Sequence, residues 1–172
     1  MKSSKVYFVA LIIFAIALGC GQKQSEDEIR QQASDLEKEE QFDEAFKIYE
    51  KQLEAYPDGQ YAGETLQKVA FMQYNNYQDF EKAIATHKRL IEKHPESRFV
   101  PQARFMIGYI YANELKDYDL ARVAYEEFLA KHSDNELAES VKWELEHLGE
   151  DVNEQMQDLF SNEKSNGKAS EK

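Results

Sequence analysis

The stretch "KHPES", Lys93 to Ser97, brings His94, Glu96 and Ser97 within four positions, the base, carboxylate and nucleophile from which hydrolytic sites are built. Acyl transfer requires those groups to converge on one carbonyl beside an oxyanion donor, whereas adjacent residues at a helix boundary point in divergent directions. The four histidines, His87, His94, His132 and His147, have no second histidine or cysteine at zinc-ligand spacing. No glycine-rich phosphate loop is present. The acids run along helical stretches instead of alternating around a glycine turn, as a calcium loop requires. No catalytic residue, metal ligand or cofactor is expected, so "KHPES" needs another explanation.

It lies in a repeat. Shifted by 38 residues, "YPDGQYA" (Tyr56 to Ala62), "HPESRFV" (His94 to Val100) and "HSDNELA" (His132 to Ala138) fall into register. The same offset aligns Ala45, Ala83 and Ala121; Phe42, Phe80 and Tyr118; and Leu53, Ile91 and Leu129. His-Pro-Glu-Ser is one of three equivalent joints. Between joints the apolar residues recur at helical spacing in two stretches, so each repeat is a helical hairpin. Proline lacks an amide hydrogen and disfavours helix at the residue before it, which stops the second helix ahead of Pro57 and Pro95. Asp58, Ser97 and Asn135 are placed to cap the helix that follows.

Composition agrees. Seven glycines and three prolines in 172 residues favour long helices over a turn-rich sheet. A net charge of -12 without any basic run excludes nucleic acid as a partner, because a phosphate backbone needs clustered Lys or Arg. The fold class expected is all-α.

The N-terminus is of a different kind. Lys2 and Lys5 precede the apolar run "VYFVALIIFAIAL", which is too short for a comfortable membrane span of about 20 residues. The run meets "LGCG", and Cys20 is the only cysteine of the chain. The segment resembles a bacterial lipoprotein signal, which implies cleavage before Cys20 and lipid on that residue. Several acyl chains hold a protein firmly on a membrane where one is marginal. An uncleaved anchor with an incidental cysteine is the alternative.

The repeat columns resemble the tetratricopeptide repeat: a small residue on the first helix (Ala70, Gly108), an aromatic soon after (Tyr74, Tyr111), then Ala83 or Ala121 and the terminal proline. Its common period is about 34 residues; the four extra resemble the longer first helices of bacterial envelope proteins of the BamD and CpoB types. The resemblance implies a right-handed superhelical solenoid whose first helices line a concave groove. In it the register places Gln67, Phe105 and Trp143 in one column and Phe71, Tyr109 and His147 in another, with Asn75 and Asn113 as a matched amide pair. The two columns lie four residues apart on one helix face. Aromatic anchors beside amides suit an extended or helical peptide. Burial of Phe71 and Tyr109 between repeats, and of Trp143 under a helix around Met156, is the competing explanation. Gln67 and Phe105 stand where chaperone-binding relatives need a basic residue, so a chaperone C-terminus is not the expected ligand.

The expected organisation is a signal peptide over 1–19, lipidated Cys20 with a polar tether over 20–27, three hairpins plus a closing helix over 28–148, a short amphipathic helix over 149–160 carrying Val152, Met156, Leu159 and Phe160, and a disordered tail over 161–172. The expected function is that of a non-enzymatic, lipid-anchored scaffold of the bacterial envelope, facing the periplasm from the outer membrane. The resemblance implies an accessory of outer-membrane protein assembly. A CpoB-like regulator of wall growth or division is the alternative of the same class; a solute-binding lipoprotein or an enzyme subunit is the alternative of another.

Overall fold

A computed structural model describes residues 24–150, in which seven helices follow one another without a strand among the described residues. They are α1 (Glu26–Lys38), α2 (Phe42–Ala55), α3 (Ala62–Asn75), α4 (Phe80–Lys93), α5 (Val100–Asn113), α6 (Tyr118–Lys131) and α7 (Ala138–Glu146). The helices pack in chain order as three hairpins, α1–α2, α3–α4 and α5–α6, and α7 lies against α6. The leader, Cys20 and the segment from residue 151 onward fall outside the described residues.

The three joints are the same turn. Gly59 N donates to Tyr56 O at 3.1 Å, Ser97 N to His94 O at 2.9 Å and Asn135 N to His132 O at 3.0 Å. The next bond follows suit, from Ala62 N to Gly59 O, Val100 N to Ser97 O and Ala138 N to Asn135 O. Inside the hairpins the turn repeats as well: Glu40, Gln78 and Lys116, 38 residues apart, all adopt left-handed backbone with φ of 60°, 51° and 55°. Such a residue reverses the chain after a helix and lets its last carbonyls be satisfied.

Two sequence expectations are corrected. The caps of α3, α5 and α7 are Tyr61, Phe99 and Leu137, none with a side-chain cap bond. Ser97 Oγ and Asn135 Oδ1 instead accept from Phe99 N at 3.4 Å and Leu137 N at 3.0 Å, bracing the turn ahead of the helix. At the first joint the Glu26 carboxylate does this work, accepting from Gln60 N at 3.0 Å and Tyr61 N at 2.9 Å. Side-chain caps sit elsewhere, at Ser25 in a capping box with Glu28, and at Asp79 and Asp117 on the second helices. The first helices are also no longer than the second: α3, α4, α5 and α6 each have 14 residues, so the extra length of the repeat is not confined to the first helix.

Packing follows small-against-large columns. Ala45, Ala83 and Ala121 are fully buried where the helices of each hairpin meet. Ala70 and Gly108, 38 residues apart, form a second small column on the first helices, and Tyr49, His87 and Tyr125 form a buried aromatic column on the second. At 38 residues beyond Gly108 stands Glu146, exposed near the end of α7.

Candidate partner groove

The first helices α3, α5 and α7 carry seven of the eight candidate residues, and His147 is the C-cap just past α7, because the 38-residue period brings equivalent positions to the same helix face. On α3, Phe71 is 56 % exposed, and Asn75 Nδ2 donates to Phe71 O at 3.1 Å. Gln67 is half-buried, and its Oε1 is buried without a hydrogen-bond partner. On α5, Phe105 is half-buried and packs with the Tyr125 and Phe128 cluster, its ring centroid 6.3 Å from that of Tyr125. Tyr109 lies 5.9 Å from Phe105 and 6.5 Å from Tyr74 of the preceding hairpin, centroid to centroid. Asn113 Nδ2 donates to Tyr109 O at 3.2 Å, the counterpart of Asn75.

On α7, Trp143 is 50 % exposed and stacks on His147 at 4.5 Å with 19° between the rings. His147 Nδ1 lies 2.8 Å from Trp143 O, which pins the imidazole one turn beyond the indole. The helix environment around Met156, expected to compete for Trp143, falls outside the described residues.

Four of the eight residues come together. Tyr109, Asn113, Trp143 and His147 line a pocket of about 170 Å³ at the α5–α7 end of the face. Gln67, Phe71 and Asn75 do not join it, and Phe105 is turned toward the core. Lys116, Tyr118 and Glu144 are among the residues that complete the wall, and they were not expected from the sequence. Their signal is weak, because Lys116 reaches the wall from a left-handed turn position, where no helical periodicity places it. Upstream, the Tyr74 hydroxyl donates to Glu114 at 2.7 Å, and burial, then that carboxylate, raises its pKa.

His94, Glu96 and Ser97 line a separate depression at the α4–α5 joint, where the Ser97 hydroxyl braces the turn. Among the described residues no three His, Cys, Asp or Glu side chains gather as a metal site, and no helix is long and apolar enough to cross a membrane.

Helical hairpins repeated at equal spacing, with small residues where paired helices meet and aromatics on the first helices, define an all-α protein of the tetratricopeptide-like class. Residues 22–122 match the YfiO family, described as outer membrane lipoprotein, and the chain belongs to that family. No curated protein matches the chain.

Proposed function

We propose that this chain is a non-catalytic, lipid-anchored accessory of outer-membrane protein assembly. It is held at the outer membrane through Cys20, faces the periplasm, and binds a protein or peptide segment on the face formed by α3, α5 and α7. The observation that carries the binding reading is the convergence of Tyr109, Asn113, Trp143 and His147 on one pocket, with Phe71 exposed further along the same face. Half-exposed aromatics are the residues that anchor a partner with little loss of side-chain freedom, and amide and imidazole groups beside them fix its backbone. Membership of the outer membrane lipoprotein family supports the location.

The test is crosslinking and affinity purification of the tagged chain from native envelopes, compared with Cys20→Ser. Recovery of a β-barrel assembly protein, dependent on Cys20 and lost in Trp143→Ala, is the expected result. Recovery of cell-wall synthases instead would transfer the reading to a regulator of wall growth.

A further inference from the structure

The first hairpin contains a complete version of a polar group that the partner pocket holds only in part. Tyr49, on α2, reaches across to Glu37 on α1 and donates its hydroxyl to the carboxylate at 2.7 Å. Lys68, on α3, closes the set: its Nζ lies 2.9 Å from the same carboxylate oxygen and 3.1 Å from the other. Phenol, carboxylate and ammonium thus meet where the first hairpin packs on the second, and the half-buried carboxylate has its counter-charge. A carboxylate partly withdrawn from water needs one, because desolvation disfavours its charged form.

Two repeats further on, the positions of Glu37, Tyr49 and Lys68 are held by Asn113, Tyr125 and Glu144. The phenol is kept, and Tyr125 donates to Glu144 Oε2 at 3.4 Å. The charges are not kept. An amide stands in place of the carboxylate and a carboxylate in place of the ammonium, so the set holds one anion and no cation. Glu144 is half-buried and forms no ion pair among the described residues. In the middle hairpin the three positions are Asn75, His87 and Met106, which include no carboxylate to balance. The last site alone holds a carboxylate whose counter-charge the chain does not supply.

Asn113 and Glu144 both line the pocket of Trp143. Asn113 Nδ2 is engaged by Tyr109 O, so the amide keeps its oxygen as an acceptor. Trp143 is half-exposed, and an indole face attracts a cation more strongly than any other aromatic ring. The wall's remaining charges, Lys116 and Glu150, balance in sum. Carboxylate, amide oxygen and indole around one recess are a cation's surroundings. We infer that this pocket receives a lysine or arginine side chain of the partner segment, whose charged head stands to Glu144 as Lys68 stands to Glu37. The inference rests on the partner face proposed above and names the residue type that this end of the face reads.

The test uses the full mature chain with Cys20→Ser and the fluorescence of Trp143, the single tryptophan of the chain. The probes, titrated into the millimolar range, are N-acetyl-arginine methylamide, its neutral isostere N-acetyl-citrulline methylamide, and N-acetyl-glutamate methylamide. A saturable response to the arginine probe, absent with citrulline and weakened about tenfold in Glu144→Gln, is the expected result. Glutamine keeps an acceptor for the Tyr125 hydroxyl, so this variant removes the charge and leaves the packing. Asn113→Glu with Glu144→Lys installs the arrangement of the first hairpin, ammonium included, and is expected to abolish the response. No saturable response to the arginine probe, equal responses to arginine and citrulline, a stronger response to glutamate, or a titration unchanged by Glu144→Gln would each overturn the inference. Failure of the partner face reads differently: capture from envelopes would then survive Trp143→Ala, whereas capture lost in Trp143→Ala and kept in Glu144→Gln overturns the basic side chain alone.

Discussion

Gly108 and Tyr125 share one space: a Cβ on Gly108 would lie 2.5 Å from the Tyr125 ring, which is itself fully buried. The glycine is there so that the ring of α6 can lie flat on the backbone of α5. In the hairpin before, Ala70 stands in the same column and the smaller imidazole of His87 replaces the phenol. Gly108→Ala gains about 1 kcal/mol of helix propensity but forces a locked ring to move, at about 1 to 3 kcal/mol. Net destabilisation is expected in urea unfolding, and pairing it with Tyr125→His, the combination of the middle hairpin, is expected to recover part of the loss.

His87 makes the fold acid-sensitive. It is 1 % exposed, its Nδ1 has no partner, and burial pushes its pKa down to about 4 from 6.5. Above pH 6.5 the imidazole is neutral in folded and unfolded chain alike and contributes nothing to the pH dependence. As pH falls from 6.5 toward 4 the unfolded chain takes up a proton that the folded chain refuses, so stability declines, by about 3 kcal/mol in all. Urea midpoints of His87→Phe measured across this range should lack that decline relative to the unaltered chain. An equal slope in both would show that other groups cause it.

Glu26 ties the first hairpin to the second. Its carboxylate accepts from Gln60 N and Tyr61 N, and from Gln52 Nε2 at 3.4 Å. Glu26→Ala leaves two joint amides without these acceptors and should cost about 1 to 3 kcal/mol. Thermal unfolding followed by circular dichroism measures it; a change under 0.5 kcal/mol on the order of a surface substitution would mean that water replaces the carboxylate.

Aromatic substitutions separate binding from packing. Phe71 and Trp143 are half-exposed or more, so their alanine variants should unfold within about 0.5 kcal/mol of the unaltered chain. Phe105 packs on Tyr125, and its truncation should cost about 2 kcal/mol or more. Partner binding measured on the stable variants is expected to fall with Trp143→Ala. A Trp143→Ala protein that binds normally would remove the pocket from the proposed function.

The joints, the hairpins and the all-α class were legible because each is written locally: proline stops a helix, and apolar spacing gives the period. Capping was misassigned because Ser97 and Asn135 spend their oxygens on the turn amides of Phe99 and Leu137 ahead of the helix, and at the first joint the distant Glu26 holds the amides of Gln60 and Tyr61. The candidate columns were legible as positions on a helix face. Periodicity could not distinguish Phe105 from Phe71, since both lie at helical spacing on first helices.

The sequence by itself determined the repeat, its period of 38, and which residues occupy equivalent places in each hairpin. Tertiary structure alone decided that Phe105 turns into the core, that Tyr109, Asn113, Trp143 and His147 share a pocket, and that Leu120 and Val123 face an open groove. The reason is physical. Helical periodicity is set within a few residues of chain, whereas exposure depends on what the neighbouring helices leave uncovered, and in this array each hairpin differs from the last in the size of the side chains that meet it.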